Sequence, residues 1–199
     1  MFSGTMGPPM ARLVLVPCAL VALCAPAMAR PASTGWYAEG AAGATAFLLG
    51  ASDDAAIGPG LTIRAGRDLA SFVSVGIWLA TSSHEATVPA PPEGEWFQLH
   101  RGGADLRLSG RFDRLSVFIE GGAGVAMISS NVLGRVRITE PGEELSLIAQ
   151  AGAGLEYQLL NRHYALGVGV DGMMMPAFTA PASKPLTALE SRLFLRYTY

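Results

Sequence analysis

The last seven residues, Leu193-Phe194-Leu195-Arg196-Tyr197-Thr198-Tyr199, alternate without a break. Leu193, Leu195, Tyr197 and Tyr199 fall on one face of an extended strand, and Phe194, Arg196 and Thr198 on the other. An apolar strand left at a sheet edge is a template for aggregation. A closed barrel removes that hazard, because its last strand pairs with its first. In a barrel the apolar outer face can also meet lipid. This segment therefore favours a closed all-β barrel over a chance edge strand.

The other end of the chain points the same way. Arg12 precedes an apolar run from Leu13 to Ala25, and Ala27-Met28-Ala29 follows. A basic residue, a short apolar stretch and a small-x-small site describe a secretory signal peptide, read here as residues 1–29 and cut after Ala29. Met6 and Met10 are alternative starts. The run is too short to span a bilayer comfortably. The two cysteines, Cys18 and Cys24, both lie in this segment, so the mature chain is expected to have no thiol, disulfide or cysteine metal site. A lipoprotein reading of Cys24 is poor, because Leu23 stands where a small residue is wanted.

Composition limits the remaining 30–199 segment to one domain. Charged residues are only 15% of the 199-residue chain, glycines number 24, and the formal net charge is −2. Mean hydropathy is +0.34, yet outside the leader no apolar run is long enough for a membrane-spanning helix. The near-neutral, scattered charge gives no nucleic-acid footprint.

Eight alternating segments can be read between turn residues: 35–49, 59–67, 71–81, 95–109, 115–129, 143–159, 164–175 and 187–199. Their connections alternate between long and short, as in barrels with short turns at one end and longer loops at the other. The long ones carry Ser52-Asp53-Asp54, Pro89 to Pro92, the stretch around Val136, and Pro176 to Pro185. One face of each segment carries Leu, Val, Ile and aromatics; the other carries Gly, Ala, Ser and charges. Alternation alone does not separate a membrane barrel from a soluble lipocalin-like barrel, in which the apolar face points inward. The terminal aromatic strand favours lipid, and so do Trp36, Tyr157, Tyr164, Tyr197 and Tyr199, which would form an interfacial girdle at the short-turn end. A secreted β-sandwich would not explain the loop lengths. The fourth segment breaks phase: Leu106 and Leu108 set one face, whereas Phe97 and Leu99 fall on the other. A β-bulge at Gly102-Gly103, or an upper strand rising beyond the membrane, is the expected cause.

Gly35-Trp36-Tyr37 opening a Gly/Ala-rich strand, eightfold alternation and the ending at Tyr199 together resemble the small OmpA/OmpX-type outer-membrane β-barrel family across the whole mature chain. Leu193, Leu195, Tyr197 and Tyr199 look like that class's C-terminal assembly signal. The resemblance implies an eight-stranded antiparallel up-and-down barrel in the outer membrane of a Gram-negative bacterium. Its partners would be outer-membrane lipid, the barrel assembly machinery and an unspecified extracellular-loop partner. It implies little about task, since members do different things on one scaffold.

With the apolar face outward, Glu39, Arg64, Asp105, Arg107, Glu120, Glu156, Asp171, Arg192 and Arg196 point inside. Most lie toward the short-turn end, with Asp171 and Arg192 nearer the middle. Enclosed charges must pair or meet water, so a structural salt-bridge network filling the lumen is expected. The sharper alternative is a gate, in which Glu156→Gln would alter conductance without unfolding the barrel. Ser82-Ser83-His84-Glu85, placed at the start of a long loop, invites a hydrolase reading, as in lipid-modifying barrels of this size. It lacks the His-x-Ser spacing, however, and neighbouring strand residues point opposite ways. His100 and His163 are isolated at opposite ends. Met173-Met174-Met175 is apolar filler rather than a soft-metal site, and Gly121-Gly122-Ala123-Gly124 is no phosphate loop. No cofactor and no catalysis are expected. The role read from the sequence is structural or surface interaction, with a narrow channel for ions or small solutes as the alternative and lipid modification third.

Overall fold

A computed structural model describes residues 34–49, 55–87, 96–129, 145–179 and 185–199. Eight strands form one closed antiparallel barrel in sequence order: β1 (Trp36–Leu49), β2 (Gly58–Ala70), β3 (Val73–Glu85), β4 (Trp96–Phe112), β5 (Leu115–Ile128), β6 (Leu145–Gln158), β7 (Tyr164–Thr179) and β8 (Pro185–Thr198). The leader at 1–29, the Ser52-Asp53-Asp54 and Pro89 to Pro92 loops and the segment around Val136 lie outside the described residues.

The terminal alternation does what the sequence implies. β8 closes the cylinder on β1, from Tyr37 opposite Thr198 to Ala46 opposite Leu189, in unbroken register. Cross-strand partners followed once round the wall from Tyr37 return to β1 at Phe47, ten residues further on. That stagger tilts every strand and leaves an interior just wide enough for side chains to fill. Turns at Ser71-Phe72, Asp113-Arg114 and 159–163 define a short-turn end; the connections 50–57, 86–95 and 129–144 define the opposite, long-loop end. Asp113 takes a left-handed φ of 55° in its two-residue turn, a conformation that Asp tolerates.

Several strands run further than their sequence pattern suggested. β3 continues through Ser82 to Glu85, so those residues are wall rather than loop. β7 and β8 extend to Thr179 and from Pro185, which shortens the expected long connection there to 180–184. The expected bulge at Gly102-Gly103 is absent: β4 keeps one register with both β3 and β5 through these glycines. The irregularities lie between Phe47 and Leu49, between Asp68 and Ala70, and between Met175 and Thr179. The last of these contains Pro176, which has no N–H to give to a ladder.

The outer surface carries Leu61, Ile63, Ile77, Leu79, Val117, Ile119, Leu155, Val168, Leu193 and Leu195, all exposed. Among the described strand residues the outward charges are Arg67 and Glu85, each close to one end of its strand. Trp36, Tyr157, Tyr164 and Tyr199 stand outward at the short-turn end, with Phe72 and Phe112 beside them. Tyr197 contacts Tyr164 at 4.8 Å and Tyr199 at 5.0 Å between ring centroids.

Small residues inside make room for large ones. A Cβ on Gly154 would lie 2.4 Å from Phe118 Cζ and 2.3 Å from the Val168 carbonyl oxygen; one on Gly167 would lie 2.2 Å from Phe194 Cζ. These glycines seat the edge-to-face Phe118–Phe194 pair, with ring centroids 5.8 Å apart. Gly154→Val is therefore expected to cost about 1–3 kcal/mol by overpacking. Gly40→Val faces open space and should leave the urea midpoint of the lipid-embedded barrel unchanged. Equal midpoints for the two variants would refute this packing role.

Candidate functional site

The lumen is divided into two halves. The half toward the short-turn end is a stacked charge network. Glu120 of β5 is its hub: it accepts hydrogen bonds from Arg64 Nη1 at 2.8 Å, Arg107 Nε at 3.0 Å and Arg192 Nη2 at 2.6 Å. These arginines come from β2, β4 and β8, so one carboxylate ties together distant parts of the wall. Glu39 of β1 accepts from Arg107 Nη2 at 3.0 Å, and Asp105 pairs with Arg64 at 2.9 Å. Arg192 also pairs with Asp171. All of these groups are buried.

Register explains the clustering. Glu39 is opposite Arg64 on β2 and opposite Arg196 on β8, and Arg107 is opposite Glu120. Opposite signs therefore meet across neighbouring strands, and the side chains then reach over the narrow lumen. Aromatic faces fill the gaps. The Arg107 guanidinium lies 4.3 Å from the Phe118 centroid, and the Arg196 guanidinium lies 3.9 Å from that of Tyr37.

Glu39, Arg64, Arg107, Glu120, Asp171 and Arg192, with Asp105, form the connected upper tier. Glu156 and Arg196 sit in a lower tier nearer the mouth. Sequence reasoning missed four participants. Asp68 pairs with Arg196 and accepts from Ser74 Oγ at 2.5 Å; it lies just past the 59–67 segment read from the sequence. Arg111 lies 3.8 Å from Glu156. Arg101 pairs with Glu190 at 2.8 Å, and Glu190 also accepts from Thr62 Oγ1 at 3.1 Å. Glu190 shares its phase with Arg192, so alternation alone would have found it. Arg101 was hidden by the expected bulge.

Above Arg101–Glu190 the lumen becomes apolar. Phe47, Phe97, Leu99, Ile128, Ile148, Met173, Met175, Phe178 and Leu186 are buried together there, with small alanines between them. Phe97 and Leu99 are in phase with Arg101, Asp105 and Arg107. They point inward and are 0% exposed, and that orientation produces the apparent phase break. In the methionine run, Met173 and Met175 fill this plug and Met174 faces out.

Ser82 and His84 also point into the plug. His84 Nδ1 is 3.1 Å from the Ala56 carbonyl oxygen, and Nε2 is 2.9 Å from Ser82 Oγ. A carbonyl only accepts, so Nδ1 carries the proton and Nε2 accepts from the serine. The two residues are one strand step pair apart and so share a face, which the expectation for this segment overlooked. The imidazole forms a three-ring cluster with Phe47 (4.7 Å, tilted) and Phe97 (5.3 Å, stacked) and is 0% exposed. His100 faces outward and bonds Thr81 Oγ1 at 3.0 Å, whereas His163 lies at the short-turn mouth with Nδ1 2.6 Å from the Thr198 carbonyl oxygen. Among the described residues no three His, Cys, Asp or Glu side chains are grouped to hold a metal ion.

No protein-family model and no curated protein sequence matches the chain. Solved structures do match it. Neisserial surface protein A, NspA, superposes with a TM-score of 0.59 at 13% identity, over 85% of this chain and 100% of that one. The outer-membrane protein OprG of Pseudomonas aeruginosa gives 0.54 at 11% identity, over 86% and 100%. At such identities the likeness is one of fold. That fold is the small eight-stranded outer-membrane β-barrel.

Proposed function

We propose that this outer-membrane-type barrel resides in the bacterial outer membrane as a non-conducting, non-enzymatic protein. In this reading it acts through the surface it presents beyond the bilayer. The observation that carries the reading is the two-part seal of the lumen. Glu120 and its arginines fill the short-turn half, and Phe97, Leu99, Met175, Phe178 and Leu186 fill the other at 0% exposure. An ion crossing such a plug would have to shed its water among mainly apolar side chains, with only a few hydroxyls and the His84 imidazole to replace it. The continuous apolar outer belt and its aromatic girdle support placement in a bilayer. Lipid, and the assembly machinery through the β8 strand, are the partners proposed.

The same seal bears on catalysis. Ser82 and His84 have the hydrogen bond of a nucleophile–base pair, but apolar side chains enclose them and leave no room for an acyl substrate. A channel has no comparable observation in its favour. Planar-bilayer recording of the refolded 30–199 segment tests the proposal. Traces should stay at baseline up to the voltage at which the membrane itself breaks. Discrete, reproducible conductance steps would refute it and restore the channel reading.

A further inference from the structure

Among the described residues the lumen opens into a recess of about 150 Å³ at the short-turn mouth. Its lining holds four arginines, Arg107, Arg111, Arg162 and Arg196, against two carboxylates, Asp68 and Glu156. Ser74, Ser109, Ser116 and Gln158 supply further polar groups.

The two carboxylates do not satisfy these cations. Asp68 is committed to Arg196 and to Ser74. Glu156 is shared among Arg107 at 3.7 Å, Arg111 at 3.8 Å and Arg196 at 3.9 Å, and none of these nitrogens is within hydrogen-bond distance. Arg107 Nη1 and Arg111 Nε are buried donors without a hydrogen-bond acceptor. The Arg107 side chain is only 4% exposed. A buried donor left unpaired is costly, and a guanidinium fork is shaped to take two oxygens of one planar or tetrahedral anion. In the tier above, Glu39 and Glu120 accept hydrogen bonds from arginines at 2.6–3.0 Å, although Arg64 Nε and Arg192 Nε there also lack an acceptor. At the mouth Glu156 stays 3.7–3.9 Å from all three of its arginines.

We propose that this recess binds a compact oxyanion, a carboxylate or a phosphate, between Arg107, Arg111 and Arg196. The ligand enters from the short-turn side, which in the proposed orientation is the periplasm. The anion supplies the acceptors that Glu156 is too far away to supply. A bulky lipid headgroup with its chains does not fit a recess this small inside the barrel wall. The source is a free anion or the chain-terminal carboxylate of a periplasmic peptide.

Isothermal titration calorimetry of the refolded barrel in zwitterionic detergent, at fixed ionic strength, tests the site. The probes are inorganic phosphate, N-acetyl-alanine and N-acetyl-alaninamide. Saturable heat is expected from phosphate or N-acetyl-alanine and none from the amide. The tighter of the two anions identifies the source. Arg111→Gln should weaken binding by at least about tenfold, whereas Arg67→Gln, on the outer face at the same end, should not. Glu156→Gln should tighten binding, because it removes the competing carboxylate. This variant keeps the proposal testable if Arg111→Gln does not refold. Absence of saturable heat from both anions, equal binding of acid and amide, undiminished binding in Arg111→Gln, or weaker binding in Glu156→Gln would each overturn the site.

Discussion

Glu120→Leu is expected to destabilise the barrel by about 3–5 kcal/mol, enough to compete with correct assembly, because removing one partner of a buried ion pair leaves the other uncompensated. Here the effect falls on three partners at once. Arg64, Arg107 and Arg192 each lose their hydrogen bond to Glu120. The remaining carboxylates are already engaged: Glu39 with Arg107, Asp105 with Arg64 and Asp171 with Arg192. Glu120→Gln keeps an acceptor but loses the charge, so it should fall between wild type and Glu120→Leu. Urea unfolding in lipid vesicles, read by the gel shift between folded and boiled protein, gives the order. A Glu120→Leu midpoint equal to wild type would show that the network is not what joins the wall across the lumen.

The double variant Phe97→Ser, Leu99→Ser should convert a silent barrel into a conducting one. Both side chains are fully buried in the apolar half, and large-to-small changes at such sites cost about 2–5 kcal/mol each. The serine hydroxyls would admit water where the wild-type lumen excludes it. A lower urea midpoint together with new single-channel steps is the expected pair of results. Lower stability with no conductance would mean that the charge tier beneath is a second, independent seal, and adding Arg107→Ser to the same background would then open it. A barrel that stays silent after that addition would refute the two-part seal.

Much of this was legible in the sequence, and the illegible part has one physical cause. Alternation fixes which residues share a face. It does not say which face is inside where the inner face itself becomes apolar. In β5 and β6 the outward Leu, Val and Ile oppose inward Glu120, Gly122, Gly154 and Glu156, so inside and outside separate cleanly. In the upper part of β4 the order is inverted: Phe97 and Leu99 point inward, while Gln98 and His100 point outward. Phe97 and Leu99 then looked like lipid-facing residues that had slipped register, and a bulge was inferred to repair the phase. The same confusion concealed Arg101 one step below. Ser82 and His84 were set aside as loop residues because the pattern weakens near the long-loop end, yet the strand continues through them. Asp68 is a similar case at the short-turn end. It falls outside the 59–67 alternation, although β2 extends to Ala70 and directs the carboxylate toward Arg196.

The division of the lumen has a consequence for how the chain enters a bilayer. Before β8 meets β1, the wall is an open sheet whose two surfaces are both accessible. At the long-loop end the inner surface is mainly apolar plug, and the outer surface is apolar except on β3 and β4, where Thr81, Ser83, Glu85, Gln98 and His100 face out. At the short-turn end one surface is greasy and the other carries Glu39, Arg64, Arg107 and Glu120. An unclosed sheet can therefore enter hydrocarbon by its long-loop end with fewer charges to strand than at the other, Glu85 being the outward one there. Its short-turn end cannot follow until the seam zips and the ions find one another. The network is thus a lock that only the closed wall completes, since its partners come from β1, β2, β4, β5 and β8 at once.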